Sequence, residues 1–151
     1  MKKLLVALFA LLMGESASSR DYHIIDYGAV ADTARLSTIA LQRAIDDCSA
    51  HGGGRVVVPS GMFKTGSIVL RSNVELHLEH GATLFGSTDL HDYQPMKSGY
   101  VSLRTQTTTI QLIYADSVQN VAITGTGTID GRGAAFQKLS WNDEGITPPH
   151  L

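Results

Sequence analysis

The stretch that decides the fold is Asn73-Val74-Glu75-Leu76-His77-Leu78-Glu79-His80-Gly81-Ala82-Thr83-Leu84, because a close copy follows as Asn120-Val121-Ala122-Ile123-Thr124-Gly125-Thr126-Gly127-Thr128-Ile129. In both, a short strand opens on Asn-Val, meets a glycine-bearing turn and resumes as a second short strand. Side chains alternate along an extended chain, so Val74, Leu76 and Leu78 share one side, as do Val121 and Ile123. A strand this short cannot bury its own apolar side. Strands stacked coil upon coil can, each covering the last. Self-similarity of this kind marks a solenoid, in which the aliphatic residues form ladders inside a tube.

Working outward, Val56-Val57-Val58 is a β-branched run stopped by Pro59, and further short runs lie at Gly66-Ser67-Ile68-Val69-Leu70 and Ile110-Gln111-Leu112-Ile113-Tyr114. Gly, Asn, Ser or Asp bounds each. Only one segment is helical: Ser37 is a suitable N-cap, and Ile39, Ala40, Ala44, Ile45 and Cys48 recur on one face before Gly52-Gly53-Gly54 ends it. With no second helix for a βαβ crossover, a doubly wound α/β fold is disfavoured. An antiparallel sandwich does not explain the paired Asn-Val repeats. The expected fold is all-β, a parallel β-helix whose exposed first coil is capped by the helix over residues 37–50. His23-Ile24-Ile25-Asp26-Tyr27-Gly28-Ala29 reads as a short strand ending in a turn. Cys48, on the apolar stripe, reads as a buried structural thiol.

The 151 residues carry 43% hydrophobic and 17% charged residues, the balance of a globular domain. A net charge of −2 offers no basic face for nucleic acid. Lys2 and Lys3 precede an apolar run over Leu4 to Met13 and then small residues Gly14, Ser16, Ala17, Ser18 and Ser19. That run is half a bilayer span, so residues 1–19 read as a signal peptide. Residues 20–151 are then an exported chain, secreted or periplasmic, with no membrane attachment after cleavage. Cleavage takes away two lysines and one glutamate, leaving 10 cations against 13 anions and a charge of −3. Cys48 is the single cysteine, so no intrachain disulfide can form.

At Asn120-Val121-Ala122-Ile123-Thr124-Gly125-Thr126-Gly127-Thr128-Ile129-Asp130-Gly131-Arg132-Gly133 the chain resembles the polygalacturonase family, glycoside hydrolase family 28. Earlier blocks agree in order and spacing: Asp26-Tyr27-Gly28-Ala29, Ala40-Leu41-Gln42-Arg43-Ala44-Ile45, Gly52-Gly53-Gly54-Arg55-Val56-Val57-Val58-Pro59 and Gly81-Ala82-Thr83-Leu84-Phe85-Gly86-Ser87. The resemblance implies a right-handed parallel β-helix and inverting hydrolysis of pectic, galacturonate-containing polysaccharide. It implies no metal or cofactor, and a monomer when the parent is complete. Pectate-lyase-like and tailspike proteins share the opening blocks; the Gly-Thr-Ile-Asp-Gly block favours the hydrolases.

An inverting hydrolase needs one carboxylic acid for the leaving oxygen and one carboxylate for water, about 6.5–9.5 Å apart. The family draws them from Asn-Thr-Asp and Asp-Asp motifs, assisted by Gly-His-Gly and Arg-x-Lys. None of these occurs here in matching context, so the expectation is that this chain holds no catalytic residue and that its parent's lie on downstream coils. Asp46 and Asp47 are adjacent on the helix, diverge by about 100°, and read as a solvated face. His51 reads as a helix terminus, and Asp26 and Asp130 as turn residues. His77, His80 and His91 lack the convergence a metal needs, and Glu75, His77 and Glu79 read as the outside of the tube. Tyr100 and Trp141 read as surface packing. Residues 86–110 interrupt the rhythm as a long loop, and residues 143–151 offer no amphipathic cap, so the chain reads as truncated. The competing functional reading is a non-catalytic β-helix module that binds polysaccharide through residues 86–110. A lyase-like relative would need calcium-binding carboxylate clusters, and none is visible.

Overall fold

The computed structural model describes residues 20–96 and 110–136. Residues 1–19, Tyr100, Trp141 and residues 143–151 lie outside it, as do the expectations placed on them. Strand β1 (Asp21–His23) is followed by a 3-10 turn over Ile24–Tyr27 and helix α1 (Thr38–Ala50). Then come β2 (Gly54–Val58), β3 (Gly61–Thr65), β4 (Ile68–Val69), β5 (Val74–Leu78) and β6 (Ala82–Gly86). The series ends with β7 (Ile113–Tyr114), β8 (Ala122–Gly125) and β9 (Thr128–Asp130).

These strands form three sheets, β1-β2-β5-β8, β3-β6-β9 and β4-β7, and every strand pairing is parallel. The chain visits the first, second and third sheet in turn and returns to the first one coil further on. This is the stacked-coil architecture that the repeats imply. Gly54 pairs with Val74, so one coil takes 20 residues; Glu75 pairs with Ala122, 47 residues on, because the segment after β6 intervenes.

The Asn of the repeat is a corner device. Asn73 and Asn120 have φ of 64° and 54°, the left-handed region that Asn tolerates better than most residues. Asn120 Nδ2 donates to Asn73 Oδ1 at 2.9 Å, so the corners stack as an amide ladder. The turns after the two strands are unequal. The first-sheet offset is 47 residues (Glu75 to Ala122) and the second-sheet offset 45 (Thr83 to Thr128), so the later turn is shorter by two. Gly127 therefore aligns with Ala82 rather than Gly81.

Val56, Leu76, Phe63, Leu84 and Ile68 fill the tube, with Leu41, Ala44, Ile45 and Cys48 of α1 packed on the same core. The predicted cap is present, with corrections. Ile39 is 70% exposed; the buried stripe is Ala40, Leu41, Ala44, Ile45 and Cys48, and Ile39 lies off it. Ser37 sits at the N-cap, but its buried hydroxyl exchanges bonds with Val30 at 3.3 Å instead of capping. Thr38 Oγ1 accepts instead from Gly66 N at 2.7 Å, tying the helix start to the coil formed by β2, β3 and β4. Strand β3 carries no alternating signature, and Ile24–Tyr27 is a 3-10 turn where a strand was expected. Cys48 is buried, and its thiol is pushed up to about 11 by that burial and by Asp47. It is the expected inert thiol.

On the outer face of the first sheet, Arg55 makes a two-pronged ion pair with Asp21, at 2.9 and 2.8 Å. The Arg55 hydrogen bond holds the Asp21 carboxyl below its ordinary 3.8. A depressed folded value means this contribution to stability is present above pH 3.8 and is lost as pH falls through the folded value. Asp21→Asn is therefore expected to lower the urea midpoint at pH 7, with the difference shrinking as pH falls below 3.8. A midpoint difference that stays constant as pH falls would show that the loss is not ionic.

Candidate functional site

Function on such a scaffold must be carried by outward-facing residues, because the inside of the tube is filled. Register fixes which residues these are. On the first sheet the outward rows are Asp21–Arg55–Glu75–Ala122 and His23–Val57–His77–Thr124. On the second they are Met62–Thr83–Thr128 and Lys64–Phe85–Asp130, alternating with the inward ladder Phe63–Leu84–Ile129. Phe85 is buried yet outside the tube's core cluster, as its place in an outward row requires.

The carboxyl groups are the natural candidates for chemistry, and most are engaged in structure. Asp46 accepts from Arg71 Nε at 2.8 Å and Gln42 Nε2 at 3.0 Å. Asp47 accepts from Tyr27 Oη at 2.5 Å and lies 3.2 Å from His51 Nδ1. The two diverge as helical neighbours do and lie on the solvated face expected of them, where their ion pairs and hydrogen bonds also anchor α1. Burial, with the bond to Asp47, pushes Tyr27 up to about 12. Glu75 accepts from Thr124 Oγ1 at 2.5 Å, and His77 Nδ1 lies 2.8 Å from the same hydroxyl. With the hydroxyl proton committed to Glu75, His77 is the donor in that contact. The pair expected to face solvent thus clasps β5 to β8.

Asp89 accepts from the backbone N–H and the ring of His91, which hold its carboxyl low. Asp92 accepts from the buried Ser87 hydroxyl. Asp130 Oδ1 accepts from Arg132 N at 2.8 Å, the turn expected of it. Asp26 is an exposed residue of the 3-10 turn, and His80 is exposed in the turn between β5 and β6. Among the described residues no three His, Cys, Asp or Glu gather as a metal site, and no helix is long and apolar enough to cross a membrane.

Two cations stand together at the outer face of the second sheet, and among the described residues they share with Arg20, Arg35 and Arg43 the lack of an ion pair. Lys64 has no carboxylate within ion-pair distance among the described residues, nor has Arg132. The Arg132 guanidinium instead lies 5.7 Å from the centroid of the Phe85 ring. Neither residue stood out in the sequence: Lys64 lies on a strand without periodic signal, and Arg132 inside a block whose glycines and Asp explain it structurally.

The profile of Glycosyl hydrolases family 28 matches residues 48–151. An exo-poly-alpha-D-galacturonosidase of Dickeya chrysanthemi is 40% identical over 118 residues, covering 74% of this chain and 19% of the relative. A probable polygalacturonase of Vitis vinifera is 32% identical over 147 residues, covering 90% and 30%. The solved family 28 exopolygalacturonase of Yersinia enterocolitica superposes with a TM-score of 0.65 at 36% identity, covering 77% of this chain and 21% of that one. The chain thus spans less than a third of these relatives' length. Parallel coils in register, the corner Asn ladder and these matches establish a right-handed parallel β-helix, and the chain belongs to glycosyl hydrolases family 28.

Proposed function

We propose that this chain supplies the capping helix and first coils of an exported glycoside hydrolase that cuts pectic, galacturonate-containing polysaccharide with inversion. The observation that carries the reading is the family match over residues 48–151, joined to relatives that are galacturonosidases and polygalacturonases. Export rests on the basic, apolar and small-residue order of residues 1–19.

The described coils contribute a scaffold rather than the acid and base. Most of their carboxyl groups anchor helix, turns and coil-to-coil clasps, whereas the reaction needs a pair held apart across the bond. The cutting pair therefore belongs to further coils of the parent, stacked on the same sheets. A reducing-sugar assay with polygalacturonate tests this on two proteins, the 151-residue chain and the same chain extended by its natural downstream sequence. Turnover is expected from the extended protein alone. Turnover by the short chain would overturn the assignment of chemistry to other coils, and none by either would overturn the proposed activity.

A further inference from the structure

The geometry points to a carboxylate-binding subsite for one uronate unit of an acidic polysaccharide, formed by Lys64 and Arg132 on the outer face of the second sheet. It rests on the proposed activity for the identity of the polymer, and on four observations for its place. Lys64, Phe85 and Asp130 occupy one outward row on β3, β6 and β9, neighbouring strands being about 4.8 Å apart. Arg132 follows that row by two residues and lies over its middle member. Neither cation has an ion-pair partner among the described residues. Finally, Arg132 is held at φ 53°, a left-handed backbone in which a side chain that long is uncommon, although glycines flank it on both sides.

These facts fit together physically. Phe85 is 3% exposed, so its face is not free to stack on a sugar. Its ring is a seat for the guanidinium, by cation–π attraction worth roughly 0.5–2 kcal/mol depending on desolvation. Asp130, which accepts from Arg132 N, fixes the backbone beneath that seat. The guanidinium is thereby oriented by an aromatic face and a strained turn instead of by a carboxylate, which leaves its planar fork of donors for an outside one. Lys64, one row position away on the other side of Phe85, supplies a second charge. Two acids lie near the pair and keep their charge, Asp130 bonded to Arg132 N and Asp89 bonded to His91 and within the field of Lys64, so the two cations act on a ligand against them. Thr83 and Thr128, paired in the adjacent outward row, bring hydroxyls to the same face, which suits a ligand that is both acidic and polyhydroxylated.

Affinity electrophoresis of the 151-residue chain through gels containing polygalacturonate, or fully methyl-esterified pectin, tests the subsite. Arg132→Gly keeps the left-handed backbone while removing the guanidinium, so it is expected to fold. Arg132→Gly and Lys64→Gln are each expected to weaken retardation by polygalacturonate about tenfold, the scale of one charge-assisted bond. The esterified gel should retard all proteins equally. Arg43→Gln, which removes an exposed helix cation elsewhere, should behave as wild type. Equal loss in Arg43→Gln, unchanged retardation in Arg132→Gly, or no retardation of the wild type would overturn the subsite. In the extended protein, hydrolysis with KM unmoved by Arg132→Gly would end the subsite and leave the activity standing. Lack of hydrolysis with retardation still lost in Arg132→Gly would do the reverse.

Discussion

Gly125→Ala is expected to detach the third coil from the second. Gly125 has φ +98°, and a Cβ added there would sit 1.9 Å from Leu78 O, 2.7 Å from Leu78 C and 2.9 Å from Leu78 N. All three are backbone atoms of β5, which is paired on one edge to β2 and on the other to β8, so it cannot recede without breaking a sheet. The same carbonyl, Leu78 O, accepts from Thr126 N at 3.0 Å and Gly127 N at 3.2 Å, and these bonds form the corner between β8 and β9. A left-handed backbone alone costs a non-glycine residue roughly 1–2 kcal/mol. The backbone collision adds to that and takes the total beyond about 4 kcal/mol, the exceptional range for one substitution. Gly28→Ala separates the two effects, because Gly28 has φ +94° with nothing within 4 Å of an added Cβ. It is expected to cost only the backbone part. Urea midpoints measure both, and amide exchange locates the damage: Ile123 and Thr124 should lose protection while Val56–Val58 keep theirs. Equal costs for the two variants would mean that the third coil is not held by this corner.

What the sequence discloses about the fold follows from which residues had to satisfy several demands at once. The Asn-Val repeats were legible because the Asn must accept a left-handed corner and the aliphatic residues must face inward, and both constraints recur each coil. The glycine run was legible for a similar reason: a Cβ on Gly53 would lie 2.3 Å from Asn73 O. Strand β3 was not legible. Only Phe63 and Thr65 of Gly61–Thr65 face the core, while Met62 and Lys64 face out; its extended state comes from pairing with β6 rather than from local preference. Ile39 has the hydrophobicity of the stripe but not its position, because packing against the tube, which no local pattern encodes, selects Ala40, Leu41, Ala44, Ile45 and Cys48.

The outer faces were legible only as an inventory of what they lack. That Asp46, Asp47, Glu75 and His77 do not converge on a ligand follows from helical and strand geometry alone, but their partners Arg71, Tyr27 and Thr124 lie 20 to 49 positions away and emerge only once the coils are stacked. The Lys64–Phe85–Arg132 arrangement is of the same kind. Each member belongs to a different coil, so no local pattern announces it, and the family block around Arg132 draws attention to its glycines instead.

Leu76→Ala should cost far more than Ile123→Ala, although the two residues are neighbours on one ladder. Val56, Leu76 and Ile123 succeed each other in register across β2, β5 and β8, all pointing into the tube. Leu76 is fully buried between the coils on either side, whereas Ile123 is 48% exposed. Removing a side chain from the sealed part of the tube forfeits its transfer free energy and leaves a cavity that cannot collapse, because fixed backbone coils bound it above and below. Such leucines cost about 2–5 kcal/mol, and Leu76 belongs at or above the middle of that range. Ile123 already meets water, so truncating it forfeits about half the area and leaves no closed void, which limits the loss to roughly 1 kcal/mol. Urea unfolding of both variants, with unchanged m-values, measures the difference. A loss at Ile123 as large as at Leu76 would mean that the third coil of this chain is covered as completely as the second.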